Sequence, residues 1–219
     1  MKKRKRKSLK PLFAILLILL IFTGVMRIIE VTSTKTRISA YKHDPFSGVK
    51  KYSPQVELEL KKYKLDSFTP VLLALMQQES KGKGGDPMQS SESAGLAPNT
   101  ITSPQTSIQQ GVKHFEQTLE YGRKKQVDFP TIIQAYNMGK GYINFVAEHG
   151  GKHSEDLAKQ FSMLQVKKNP DVYNCRGNKN NFRYPYCYGD FTYSTKVAEN
   201  LKSINPGLTL AKLVEDEAI

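Results

Sequence analysis

Two kinds of apolar run alternate with polar stretches along the chain. The first, PLFAILLILLIFTGVM from Pro11 to Met26, carries no charge and stands between Lys10 and Arg27. Its length lies between a signal-peptide core and a membrane span of about 20 residues, and flanking Lys and Arg side chains can snorkel to cover the shortfall. The pattern predicts a membrane helix over residues 11–29. No small-residue A-x-A cleavage site and no lipid-accepting cysteine accompany it, which favours an uncleaved signal anchor; cleavage near Thr23-Gly24 is the alternative. The basic stretch 1–10 then stays in the cytoplasm and the rest of the chain lies outside. Residues 30–52 are polar and aperiodic, with Pro45 and Gly48, and read as a tether.

The second kind of run has helical spacing. Ser53-Pro54 reads as an N-cap and first helical position, with Val56, Leu60 and Tyr63 inward and Glu57, Glu59, Lys61 and Lys62 on a solvated face. Thr69-Pro70 repeats the start signal, and Val71 to Met76 follow without a polar break. A helix apolar all round must be buried on every side, so this one is expected to run through the core and emerge only at Gln77, Gln78 and Glu79. Glycines 82, 84 and 85 stop it and turn the chain into Asp86-Pro87. Ser103-Pro104 opens a helix with Ile108, Val112, Phe115 and Leu119 on one face, and Phe129-Pro130 opens a shorter one, TIIQAYNM, stopped by Gly139 and Gly141. GYINFVAEHGG forms one helical piece, and Ser154 caps another with Leu157, Phe161 and Leu164 inward. Residues 171–193 read as a long ordered loop rich in Tyr, Asn and Pro, before a last helix from about Thr195 to Ser203. The fold class is mainly α: one helical domain, 53–204, with a small irregular or β-like segment after the helix that carries Glu79. One transmembrane helix precedes it and a tail, 205–219, follows.

With 39% hydrophobic and 24% charged residues the composition is that of an ordinary globular protein. Charge changes the picture more. Of the net +13, seven charges sit at Lys2, Lys3, Arg4, Lys5, Arg6, Lys7 and Lys10, leaving +6 for everything else. A basic run beside an apolar run is a topology signal, so nucleic acid is not the expected partner; the residual surplus suits an anionic lipid or wall surface. Cys175 and Cys187 lack C-x-x-C spacing, which disfavours zinc and leaves a loop-closing disulfide and a pair of free thiols equally open. His114, His149 and His153 offer no third ligand at a metal-binding spacing, and Ser90, Ser91 and Ser93 form no G-x-S-x-G element. Neither a metal nor another cofactor is expected.

Glu79 is the candidate with chemistry in it. A carboxyl at the C-terminal end of a buried helix meets the negative end of the helix dipole and an apolar surround, and both raise its pKa. A carboxylic acid protonated near neutrality can protonate the leaving oxygen of a glycosidic bond as the ring gains oxocarbenium character. Taken alone, a glutamate at a helix end is more often a solvated surface charge.

Its neighbours change those odds. MQQES at 76–80, DPMQSSESAGL at 86–96, SIQQGVKHF at 107–115 and QAYNMGKGYI at 134–143 resemble the lysozyme-like peptidoglycan muramidases of Gram-positive bacteria. The resemblance is to the muramidase domains of the CwlT type and the pneumococcal-type membrane-bound wall hydrolases, within the goose-lysozyme and soluble-lytic-transglycosylase superfamily. It covers about residues 55–203 and closes with YGDFTYSTKV at 188–197. It implies a goose-type, SLT-like helical fold, peptidoglycan glycan strands as substrate and a MurNAc-GlcNAc β-1,4 bond as target. Glu79 falls on the family's catalytic glutamate, in its Glu79-Ser80 pair. Met88 and Gln89 fall on the Met-Gln that lines the cleft, with Ser91 in the same polar cluster, and Tyr136 and Asn137 on the Ala-Tyr-Asn element that approaches the sugar. Residue chemistry agrees: a tyrosine ring suits a sugar face, and Gln and Asn match sugar amides with paired donors and acceptors. For Asn178, Asn181, Tyr184, Tyr186 and Tyr188, extension of the groove and local packing within their loop are equally open.

Hydrolysis and transglycosylation differ in their need for a second carboxylate. An inverting hydrolase holds a water on a base about 6.5–9.5 Å from the acid, whereas a lytic transglycosylase uses the substrate's own 6-hydroxyl. Asp86 and Glu92 are the sequence candidates for the base, Asp86 also being a natural turn-former before Pro87 and Glu92 a natural surface charge. The closer resemblance to the muramidase branch favours hydrolysis. The rival class is a non-catalytic wall-binding scaffold within a cell-wall or conjugation assembly.

Overall fold

The computed structural model describes residues 18–33 and 44–210. The chain divides into two compact units, Met1–Pro45 and Phe46–Ile219. In the first, residues 18–33 form helix α1, whose side chains, Ile18, Phe22 and Ile28 among them, are exposed. Its two threonine hydroxyls turn back onto the helix, Thr23 to the Leu20 carbonyl at 3.0 Å and Thr32 to that of Ile28 at 2.7 Å. Among the described residues no helix is long and apolar enough to cross a membrane. The expected span over 11–29 begins outside the described residues, as do the basic stretch 1–10 and most of the tail.

The regular secondary structure of the second unit is all helical among its described residues, with no strand there. Helix α2 (Ser47–Lys50) buries Val49, so residues 46–52 are folded within the stretch read as a tether. Helix α3 (Ser53–Lys61) buries Val56 and Leu60, and also Glu59, which leaves the expected solvated face to accept hydrogen bonds from Lys62 and, on the next long helix, Gln109. Then come α4 (Thr69–Glu79), α5 (Pro104–Lys124), α6 (Phe129–Met138), α7 (Lys140–Ala147), α8 (Glu155–Lys168) and α9 (Tyr193–Ile204).

Local chemistry sets these boundaries. Proline occupies the first turn of α3, α4, α5 and α6, where its missing N–H would have no helical partner. Ser103, Asp128 and Ser154 cap α5, α6 and α8 by accepting the N–H of Thr106, Thr131 and Leu157. Ser53 and Thr69, expected as caps, are instead the first residues of their helices, and the Thr69 hydroxyl donates to the Asp66 carbonyl.

Helix α4 is the axis of the unit. Every residue from Val71 to Met76 is buried, and α9 covers its longest face, with α3 and α2 on other sides. Phe68, just before it, tilts its ring against Phe115 of α5 and Phe129 of α6 at centroid separations of 5.5 and 5.7 Å. The segment between α4 and α5 is an irregular loop with a single 3-10 turn, Glu92–Ala94, rather than a β-like piece. The physical reason is that its backbone amides bind side chains, above all the carboxylate of Asp86, in place of a strand partner.

The cysteine question resolves to a disulfide: Cys175 is bonded to Cys187. Closing a loop of 12 residues removes unfolded-chain entropy worth roughly 3 kcal/mol. Replacing both cysteines by serine is expected to lower unfolding stability by about that amount, as measured by urea denaturation, with helical content in circular dichroism retained.

Candidate active site

The last residue of α4 is Glu79, partly buried where the apolar helix reaches the loop. Its Oε1 accepts the hydroxyl proton of Tyr193, the first residue of α9, at 2.5 Å. Burial pushes the Glu79 carboxyl up to about 7, the Tyr193 hydrogen bond opposes that rise, and the charges of Asp86 and Glu92 add to it. Tyr193 is itself buried, which holds its phenol well above the ordinary tyrosine range, so it donates to the carboxylate. Tyr136 completes the group. Burial and the Glu79 charge raise its phenol likewise, and its hydroxyl points to the Met88 carbonyl at 3.5 Å. Behind it the His114 ring lies 4.7 Å away, centroid to centroid, with Nε2 3.3 Å from the Tyr136 carbonyl.

Asp86 has the opposite environment. It is buried at 3% exposure, and its carboxylate accepts from the N–H and hydroxyl of Ser90, the N–H and hydroxyl of Ser91, and the hydroxyl of Ser107. Burial disfavours its charge, but the bonds from Ser107, Ser91 and Ser90 outweigh that and hold its carboxyl below the usual range. The loop is folded around this anion. The Ser91 hydroxyl also accepts the N–H of Ile101, and Ser107 accepts that of Met88, so both ends of the segment are tied to one centre. Met88 is fully buried against Gly111 of α5, where a Cβ would lie 2.7 Å from its own Cβ; only glycine lets the loop sit this close.

The remaining predicted residues divide by role. Ser80 donates to the Pro87 carbonyl at 2.7 Å and accepts the N–H of Gly82 and Lys83, organising the turn that leaves α4. Gln89, at a left-handed φ of 47°, donates its amide to the Asp86 carbonyl and to Asn99. Glu92 is exposed on the 3-10 turn, with its charge felt at Glu79 and Tyr188. Asn137 is exposed at the end of α6 and accepts the N–H of Asp190 at 2.7 Å.

That bond is part of a seam sewing the segment that follows the disulfide to α6. Tyr188 donates to the Met138 carbonyl at 3.0 Å, and the buried Gln134 donates to the Asp190 carbonyl at 2.7 Å while accepting the N–H of Ser194. Tyr193, Gln134 and Ser107 were not among the sequence candidates. Tyr193 lies in the YGDFTYSTKV segment, but as the first apolar residue of an amphipathic helix it reads as core, and nothing local announces a partner 114 residues away. Among the described residues no group of three His, Cys, Asp or Glu stands where it could hold a metal ion.

Comparison with known proteins gives this geometry a family. An uncharacterized membrane protein of Bacillus subtilis, YocA, is 59% identical over 162 residues, covering 74% of this chain and 72% of its own. Pneumococcal vaccine antigen A of Streptococcus pneumoniae is 36% identical over 169 residues, covering 73% and 82%. The bifunctional muramidase/DL-endopeptidase CwlT of B. subtilis is 46% identical over 98 residues, covering 45% of this chain and only 29% of CwlT. Among solved structures, one described as similar to a lipoprotein of the NLP/P60 family, from Staphylococcus aureus, superposes with a TM-score of 0.60 at 36% identity, covering 70% of this chain and 52% of that one. The lysozyme-like family model matches residues 47–201, the helical unit with Glu79 and Tyr193 inside it, and the chain belongs to the lysozyme-like family.

Proposed function

We propose that this protein is a peptidoglycan hydrolase, an N-acetylmuramidase that cleaves the MurNAc-GlcNAc β-1,4 bond with Glu79 as general acid. The observation that carries the reading is the state of Glu79: a carboxyl whose pKa rises to about 7 at the end of a buried helix, with a buried phenol on one oxygen. Such a group is protonated in a large fraction of molecules at neutral pH and passes its proton to the leaving oxygen as the bond breaks. Tyr193 donates its hydrogen bond most strongly to the carboxylate that remains, so it favours the charge as it develops. Family membership and the muramidase named in CwlT support the same chemistry. Tyr136, Asn137 and Gln89 line the sugar site in this reading, Met88, expected to line the cleft, is fully buried and supports its wall instead, and Ser80 and Ser91 shape its loop.

The two further carboxylates take different parts. Asp86, saturated by five donors, anchors the loop and adds a negative field that keeps Glu79 protonated. Glu92, exposed beside the site, is the candidate base for a hydrolytic water. A second reading, lytic transglycosylation to 1,6-anhydro ends, is favoured by the same saturation of Asp86, because it removes one of the two candidate bases. Mass spectrometry of released muropeptides separates them, reducing muramic ends meaning hydrolysis. The enzyme works outside the cell on a membrane anchor over residues 11–29. The exposed apolar surface of α1, with its threonine hydroxyls satisfied inside the helix, supports a lipid surround.

Glu79→Gln is expected to keep the fold and lower wall lysis by about a hundred- to ten-thousand-fold, read by muropeptide release from purified sacculi; undiminished release would remove Glu79 from the mechanism. Because the acid must be protonated, kcat/KM should fall as pH rises through about 7. Tyr193→Phe, which removes the bond that lowers the Glu79 pKa, should move that alkaline limb to higher pH. Asp86→Ala should lower stability by about 3 kcal/mol in urea denaturation, whereas Glu92→Gln should leave stability unchanged and, if hydrolysis is the reaction, reduce turnover.

A further inference from the structure

Helix α6 stops at Gly139, which takes a φ of 76°, and carries Tyr136 and Asn137 in its last turn. The carbonyls of a last turn have no helical N–H ahead of them and need other donors. That of Ala135 receives the Gly139 N–H at 2.7 Å, and that of Met138 receives the Tyr188 hydroxyl at 3.0 Å. The Tyr136 carbonyl is served from α5, where His114 Nε2 stands 3.3 Å away. A carbonyl only accepts, so Nε2 carries the hydrogen and donates it. The same imidazole lies against the Tyr136 ring, 4.7 Å between centroids and tilted by 60°. One side chain therefore holds this tyrosine by its backbone and by its ring. Burial lowers the His114 pKa, the Tyr136 bond opposes that and the Lys140 charge adds to it, so the imidazole is neutral at pH 7.

Tyr136 and Asn137 are held from different sides. Asn137 accepts the Asp190 N–H at 2.7 Å, in a contact close enough that a Cβ on Gly189 would lie 2.8 Å from its Oδ1. Tyr136 has a weak hold at its far end, where the hydroxyl is 3.5 Å from the Met88 carbonyl, at the outer limit of a hydrogen bond. Its orientation is therefore set mainly from α5. That orientation matters to Glu79, because the buried Tyr136 phenol feels the glutamate's charge. A buried ring beside a carboxyl keeps water from it, and loss of water is what disfavours the ionised form. We infer that His114 is a positioning residue: its Nε2–H bond to the Tyr136 carbonyl fixes that tyrosine beside Glu79, and through Tyr136 it acts on both the acid and the sugar site. The role rests on the reading of Glu79 as the acid of a muramidase, and it brings α5 into a site otherwise built from the ends of α4, α6 and α9.

The full chain is compared as wild type, His114→Phe and His114→Gln. Phenylalanine keeps a ring against Tyr136 and removes the donor, whereas glutamine places an amide N–H at the reach of Nε2. His114→Phe should lower kcat/KM on purified sacculi by about three- to tenfold. Its alkaline limb should move to lower pH, because water that reaches Glu79 favours the carboxylate. His114→Gln should stay within about twofold of wild type. In a Tyr136→Leu background, His114→Phe should cost nothing further, since the residue it acts through is gone. Full activity of His114→Phe, equal losses in His114→Phe and His114→Gln, a loss that leaves the pH profile in place, or an undiminished loss in the Tyr136→Leu background would each overturn the assignment. Titration of the Glu79 carboxyl, followed by carbon-13 NMR, reads the hold without turnover. Wild type that cleaves no sacculi sinks the muramidase reading, while the titration still decides the positioning role: a midpoint at lower pH in His114→Phe but not in His114→Gln supports it, and an unchanged midpoint refutes it.

Discussion

The hydrogen bond from Tyr193 to Glu79 joins the two helices on which the domain turns. Helix α4 is apolar around its whole circumference and has to be covered on all sides, and α9 supplies the longest cover. The same packing that buries Val71 to Met76 brings the first residue of α9 to the last residue of α4. Removing water from a carboxyl raises its pKa; a donor on one oxygen limits the rise. Helix burial and acid strength are therefore two outcomes of one contact, and a change that loosened α9 from α4 would alter both.

Around that contact, neighbouring carboxyls are driven in opposite directions by what faces them. Glu79 has apolar cover and a single donor, while Asp86 has five donors and little solvent. The protonated group is suited to giving up a proton and the ionised one to holding a loop, and the charge of the second supports the protonation of the first. The seam from Gln134 and Asn137 to Asp190 does for the other side what Asp86 does for the first loop: it fixes an irregular segment by hydrogen bonds to helix ends where no strand ladder exists.

Patterning made much of this visible in advance. The unbroken run Val71 to Met76 requires a central helix, the Pro and Ser start signals mark the later helices, and a Glu at the exit of an apolar helix has a predictable electrostatic fate. What could not be read has a common cause, pairing between residues distant in sequence. Glu59 looks solvated until α5 brings Gln109 beside it. Asp86 looks like a turn-former before Pro87, and nothing local announces that Ser107, 21 residues on, donates to one of its oxygens. Tyr193 looks like core filler until α9 is laid along α4. Ser53 and Thr69 failed as caps for a local reason, because the turns before them already carry the chain into helical conformation at Tyr52 and near it at Phe68.

The sequence distance between Glu79 and Tyr193 also orders events during the life of the chain. Ribosomes deliver the glutamate first and its phenol 114 residues later, with both cysteines of the disulfide made in between. A growing or partly folded chain therefore carries its acid group without the partner and cover that tune it. The pairing of Glu79 with its phenol is complete only with α9, so under the proposed mechanism a chain that stops before residue 193 keeps the glutamate without the donor that tunes it.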